Sequence, residues 1–320
     1  MMAPPPLRRH VLSDGDVSVA LLSLGCITQD WRVPLGGAPV PVVLGYADPQ
    51  DYLRHPTSMG VIAGRVANRI SGARFWLDGA LYQLPANEGP THLHGGPGGL
   101  QKRIWHSEAD GNRAVRFTLT SEHGDQGYPG QVHLAVTVSM TGHDLRYEMQ
   151  ATPDRPTPIS LAQHSYYNLM GQGDIAAHRL QIMADRCTPT DKAKIPTGRI
   201  AEVARHGCDF TTPRAVGLTD HDINLVLNGG TPAATLSAPN GMTLTLTTDQ
   251  PCLQLYTGAG LTPKAPPHAG QNLQPFAGLC LEPQHYPNAV NTPEFPLTLA
   301  TPDAPYRQTT TITIAPGQAA

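Results

Sequence analysis

Two segments far apart in the chain set ionisable side chains among apolar and aromatic neighbours. They are Gln163-His164-Ser165-Tyr166-Tyr167-Asn168-Leu169 and Leu279-Cys280-Leu281-Glu282-Pro283-Gln284. Histidine is the side chain that ordinarily titrates near neutrality. A carboxylate ending an apolar run is either paired or held with a raised pKa, and burial makes it a stronger base near neutral pH. Together the two types suit proton exchange, His164 as general acid and Glu282 as general base. A satisfied structural histidine and a paired structural carboxylate are the competing readings of the same residues.

A third segment supplies groups that meet sugar oxygens. In Gly64-Arg65-Val66-Ala67-Asn68-Arg69-Ile70, two arginines flank Asn68, and a guanidinium's fixed fork of donors orients a polar ligand. Salt-bridging surface arginines are the alternative. Leu93-His94-Gly95-Gly96 follows, and the run Gly95-Gly96-Pro97-Gly98-Gly99 lets backbone approach a ligand closely. That run lacks the Gly-Lys-Ser/Thr ending of a phosphate loop, which excludes that form of nucleotide binding. His92 and His94 would share one face of a strand, a spacing that also suits a metal. No further ligand type lies close by to complete a set, so no metal is expected. Asp220 and Asp222, around His221, are acceptors for sugar hydroxyls or ordinary turn aspartates. Gln284, His285 and Tyr286 add polar groups beside Glu282.

The elements that must hold these residues read as strands. Val132, Leu134, Val136, Val138 and Met140 share one parity, with His133, Thr137 and Ser139 on the other. Segments 114–121, 145–152, 242–248, 252–258 and 309–315 alternate similarly, with turn residues between them, which is antiparallel strand chemistry. No stretch sustains an amphipathic helix beyond about two turns of 3.6 residues. The Pro-rich stretch 261–274 reads as a long loop, a kind that is often functional in compact domains. No composition shift marks a boundary. The expectation is one all-β domain over 1–320, with residues 1–15 a flexible or edge N-terminus.

Composition narrows the partners. A chain of 320 residues is long enough for a substantial core. Its net charge of −3 lacks the basic stripe of a nucleic-acid binder. The N-terminus carries no apolar run of signal length, and no membrane span is present. The 32 glycines and 32 prolines are spread throughout, so they mark many loops rather than disorder. Five scattered cysteines, odd in number and without a Cys-x-x-Cys spacing, read as reduced thiols of a cytoplasmic protein.

Taken in order, the motifs resemble the aldose 1-epimerases, the galactose mutarotase family. Besides the segments above, the resemblance runs through Leu21-Leu22-Ser23-Leu24-Gly25, Val43-Leu44-Gly45-Tyr46, Asn87-Glu88-Gly89-Pro90, the stretch from Lys102 to Trp105, Gly127-Tyr128-Pro129-Gly130 and Ile195-Pro196-Thr197-Gly198, and on to Asn291. It implies a largely antiparallel galactose mutarotase-like β-supersandwich without a cofactor. It further implies interconversion of α and β anomers of a small aldose such as galactose or glucose. Glu282 is then the base and His164 the acid. Arg65 and His94 match the family's sugar-contacting arginine and histidine, and Asn68 and Gln284 join them as binding groups. The family's substrate-binding aspartate maps to Asp222 in Asp222-Ile223-Asn224-Leu225-Val226-Leu227, or to Asp220 in another register. Asp222 keeps the downstream apolar positions in agreement.

On this reading Glu282 starts ionised and His164 protonated. The chain departs from the family where Pro189-Thr190-Asp191-Lys192 and Ile195-Pro196-Thr197-Gly198-Arg199 carry basic residues at two usually acidic positions. A solvated surface change is one reading, and a sugar phosphate or other acidic sugar held nearby is the other. A sugar-binding protein without turnover on the same fold remains a rival to the enzyme.

Overall fold

The computed structural model describes residues 6–262, 264–297 and 299–317. Strand Val132–Thr141 shows why the alternation matters. Val132, Leu134, Val136, Val138 and Met140 are buried, while the intervening residues are half-buried or exposed. Burying each such apolar side chain contributes about 1.5–3 kcal/mol, so the inward parity fixes the strand's face and register.

The strand belongs to a nine-stranded antiparallel sheet. Its order is His106–Asp110, Ala114–Ser121, Val132–Thr141, Asp144–Pro153, Tyr306–Pro316, Met242–Thr248, Ala234–Ser237, Arg179–Ile182, Arg214–Ala215. Tyr306–Pro316, the last strand among the described residues, lies in the middle, pairing Tyr147 with Thr310 on one side and Leu246 with Ile312 on the other.

A six-stranded sheet holds the segments of chemical interest, in the order Tyr166–Tyr167, Leu279–Gln284, Cys252–Tyr256, Asp222–Val226, Arg186–Thr188, Ala201–Glu202. A four-stranded sheet runs Arg9–Asp14, Val17–Leu22, Ile27–Leu35, Ala38–Pro41. One continuous apolar core takes residues from all three, among them Leu12, Trp31, Val136, Tyr147, Leu253, Leu281 and Ile314. This is an all-β, largely antiparallel supersandwich. The α-helix among the described residues is the single turn Asp51–Arg54.

The expected strands 252–258 and 309–315 are Cys252–Tyr256 and Tyr306–Pro316. Of the N-terminal stretch 1–15, Arg9–Asp14 is an ordered edge strand, and residues 1–5 lie outside the described residues. The 261–274 loop, in which Pro263 is outside the described residues, is anchored from within. Gln271 Nε2 donates to Val43 O, and Leu261 and Leu273 are buried.

Candidate active site

Leu279–Gln284 is buried at all six positions. The pleat sends Leu279, Leu281 and Pro283 to one face and Cys280, Glu282 and Gln284 to the other. Leu279 and Leu281 enter the main core, which leaves Glu282 on the face that borders a cavity of about 240 Å³. That volume falls below the ~300 Å³ of drug-sized pockets and suits one small ring.

His164 is brought to the same cavity by the ladder beside it. Tyr166 pairs with Cys280 across the sheet, and the His164 N–H donates to Val61 O at 2.9 Å. His164 Nε2 stands 3.6 Å from Glu282 Oε1, with side chains only 6% and 2% exposed. Glu282 Oε2 is buried and has no hydrogen-bond partner among the described residues. A buried acceptor left open in a cavity wall is costly unless a ligand fills it.

Burial governs the charges of this pair. It pushes the Glu282 carboxyl well above the usual carboxylate range; neighbouring Asp222 adds to the rise and Arg69 opposes it. Burial lowers His164 to about 4, against the pull of its own carbonyl and of Asp222. The expected resting state, ionised Glu282 and protonated His164, therefore runs against desolvation, which favours a neutral pair sharing one proton.

His94 is neutral for the same reason, burial first and the neighbouring His164 and Arg69 next. Its Nδ1 accepts the Asn68 N–H at 3.1 Å while its own N–H donates to Asn68 O at 2.9 Å. With Nδ1 accepting, Nε2 carries the proton and is a donor. Asn68 and His94 both adopt left-handed backbone, φ 63° and 51°. That geometry ends strand His92–Leu93, so His92 and His94 do not share a face. His92 Nδ1 instead bonds Pro85 O at 2.7 Å, away from the cavity.

Arg69, rather than Arg65, lines the cavity. Its guanidinium bonds Glu88 through Nε and Nη2 at 2.6 and 2.9 Å, and Nη1 lies 3.8 Å from Asp222 Oδ2. Arg65 corrects the sequence expectation. It is buried elsewhere, donating to Ser121 Oγ, Pro129 O, Ser121 O and Glu122 O at 2.7–2.9 Å, which occupies all three guanidinium nitrogens. Asp222 is in the cavity, receiving Gln254 Nε2 at 2.6 Å on Oδ1 and Lys194 Nζ at 2.8 Å on Oδ2. Asp220 is exposed and outside it. Gln284 also lies outside the lining. It is buried behind the wall, donating to Asn224 Oδ1 at 3.1 Å and Gln254 Oε1 at 3.4 Å, so it orients Gln254.

The cavity thus brings together His164, Glu282, His94, Asn68 and Asp222, and adds Lys194, Gln254, Tyr166 and Tyr256, which were not singled out from sequence. Gln254 carried a signal: it is the polar residue on an otherwise apolar run, Cys252-Leu253-Gln254-Leu255-Tyr256. Lys192 and Arg199, the charge-reversed positions, are exposed and do not line the cavity.

His164, Cys280 and Glu282 have metal-ligand types within 4.8 Å of one another. Their nearest approaches use different ring nitrogens, Nδ1 at 3.5 Å from Cys280 Sγ and Nε2 at 3.6 Å from Glu282 Oε1. A larger depression of about 720 Å³ lies on the nine-stranded sheet, lined by residues such as Arg116, Thr118 and His133. It has no buried ionisable pair.

Residues 8–313 match the family model described as Aldose 1-epimerase. The chain is 36% identical to galactose mutarotase of Rattus norvegicus over 95% of its own length and 93% of the relative's. It is 33% identical to aldose 1-epimerase of Escherichia coli K12 over 87% and 86%. Among solved structures, an aldose epimerase homologue from C. elegans superposes with a TM-score of 0.92 at 29% identity, covering 98% of this chain and 100% of that one. A galactose 1-epimerase from Lactobacillus acidophilus superposes with a TM-score of 0.82 at 25% identity, covering 98% and 99%.

Proposed function

The chain belongs to the aldose 1-epimerase family, and from that premise we propose that its cavity opens and recloses the ring of a free aldose with Glu282 and His164 exchanging the protons. The observation that carries this assignment is the buried pair itself, His164 Nε2 at 3.6 Å from Glu282 Oε1 on the wall of a one-ring cavity.

Anomer interconversion needs two proton transfers and no redox change. Glu282 takes the proton of the anomeric hydroxyl while His164 gives one to the ring oxygen. The C1–O5 bond breaks with its electron pair going to O5, leaving an open aldehyde. Rotation about C1–C2 presents the other face, and reclosure runs the transfers backwards. His94 Nε2–H, the Asn68 side chain and Arg69 donate to sugar oxygens. Asp222 and Gln254 meet the hydroxyls farther from the anomeric carbon, and the Tyr166 and Tyr256 rings cover apolar ring faces.

Polarimetry of freshly dissolved α-D-galactose and α-D-glucose tests the roles. Wild type speeds the approach to the same final rotation. Glu282→Gln and His164→Ala each lose about 10²–10⁴-fold in kcat, the usual contribution of a positioned proton-transfer group. Near-normal turnover in either folded variant would remove that residue from the chemistry.

We also propose a single cooperative domain in a reducing, cytoplasmic setting. The continuous core and the five buried free thiols support this. One unfolding transition and five titratable thiols after denaturation are expected, and two transitions or fewer thiols would count against it.

A further inference from the structure

Cys280 has no part in the ring-opening steps, yet its Sγ lies 3.5 Å from His164 Nδ1, the ring nitrogen that does not face Glu282 Oε1. Cys280 and Glu282 are two apart on Leu279–Gln284 and so point to the same face, where each approaches a different nitrogen of the His164 ring. The adjoining ladder fixes this arrangement. Tyr166 is directly opposite Cys280 in that ladder.

The structure assigns Cys280 as a positioning residue: its sulfur accepts the His164 Nδ1–H, holds that proton in place, and leaves Nε2 as the nitrogen that trades protons with Glu282 and the sugar. The assignment rests on His164 being the acid. If the neutral ring carried its proton on Nε2, that nitrogen would have no lone pair for the Glu282 proton.

With Nδ1–H held, the proton cycle closes. The Glu282 proton moves to Nε2, giving a carboxylate and an imidazolium. The carboxylate takes the anomeric hydroxyl proton, and Nε2–H passes to O5 as C1–O5 breaks. Glu282 is then protonated again and His164 neutral, still with Nδ1–H. No proton or electron is gained overall.

Sulfur suits this place better than the carboxylate that often orients a catalytic histidine. A carboxylate would stabilise the imidazolium and weaken it as an acid. Burial pushes the Cys280 thiol well above its usual range, so it stays neutral, holding the tautomer without holding the charge. His164's own carbonyl, which receives the Gly60 N–H at 2.9 Å, is the other acceptor near the ring, so the Cys280 variants decide which of the two holds the tautomer.

The test is ¹⁵N NMR of the His164 ring together with polarimetric kcat and KM for α-D-galactose, in wild type, Cys280→Ala, Cys280→Val and His164→Ala. A buried free cysteine packs as a small hydrophobe; Ala and Val bracket its size, so at least one folded variant is expected, checked by melting. The wild-type ring carries its proton on Nδ1. In the Cys280 variants it shifts toward Nε2–H, and kcat falls roughly 10- to 100-fold, part of the usual contribution of such an acid, with KM unchanged. An Nε2–H tautomer in wild type, or full kcat in a folded Cys280 variant, overturns the assignment while leaving the acid intact if His164→Ala is still slow. Full turnover by His164→Ala overturns the acid reading itself.

Discussion

The Lys194 ammonium sits 2.8 Å from Asp222 Oδ2, a half-exposed cation placed over a mostly buried carboxylate in the cavity that holds Glu282. With 43% of its side chain exposed against 2% for Glu282, Lys194 marks the mouth and Glu282 the floor. An anomeric carbon at the floor directs the far end of the sugar toward Lys194.

Replacing Lys194 is therefore expected to act on binding. A partly exposed ion pair contributes up to about 1 kcal/mol, so Lys194→Ala raises KM by no more than about fivefold and changes kcat less. Lys192→Glu with Arg199→Glu leaves both constants as they are. Initial-rate polarimetry over a range of galactose concentrations separates these outcomes, and a dominant kcat effect in Lys194→Ala would argue against a mouth position.

The rate should be nearly flat through neutrality. The working pair holds one proton in total. It gains a second near pH 4, where His164 titrates, and loses its only one well above the ordinary carboxylate value because burial raises Glu282. A pair with unperturbed values would peak between about pH 4.3 and 6.5 and decline above that. kcat measured across roughly pH 4–9, corrected for spontaneous mutarotation, distinguishes the two profiles.

Glu282→Gln is expected to melt higher than wild type at neutral and alkaline pH. A carboxyl raised in the folded state contributes stability below its unfolded value of 4.5, and that contribution is lost as pH rises through the folded value. Glutamine removes the loss, so the difference in Tm grows with pH and vanishes near pH 4.5. His164 works in the opposite direction: lowered from 6.5 to about 4, its contribution is present above 6.5 and lost as pH falls through 4. Equal melting curves at every pH would show that Glu282 is better solvated than its surroundings imply.

The two arginines should part company. Arg65→Met strips its acceptors, Ser121 Oγ, Ser121 O, Glu122 O and Pro129 O, of that donor. A buried acceptor left unpaired costs about 1–3 kcal/mol, so Tm falls by several degrees while folded molecules keep their kcat. Arg69→Met does the reverse, raising KM with a smaller change in Tm. Thermal melts beside kinetics decide it, and a kinetic defect confined to Arg65 would restore the sequence reading.

That reading shows where a sequence is informative. Alternation located the strands because core burial and the pleat share one period, as along Val132–Thr141. His164 and Glu282 stood out as ionisable groups in apolar company. The choice between Arg65 and Arg69 did not, because both flank the same asparagine, and it is Arg69, directly after the left-handed turn at Asn68, that lines the cavity. Lys194 was hidden differently. Its side chain is delivered by a turn with φ 61° at the lysine, and its partner Asp222 comes from another strand. The reversals at Lys192 and Arg199 drew attention to its exposed neighbours. Gln284 ends the same apolar strand as Glu282, but a period of two cannot tell a cavity wall from the layer behind it.

The central place of Tyr306–Pro316 has a consequence for synthesis. The strands on its two flanks, Asp144–Pro153 and Met242–Thr248, both leave the ribosome before it does. Until it arrives, each presents an unpaired edge, and such edges template association between chains. The nascent protein thus carries two open sheet halves, with His164 and Glu282 already translated, and one late segment closes both. A chaperone that shields strand edges would be needed most during translation of the residues between Thr248 and Tyr306.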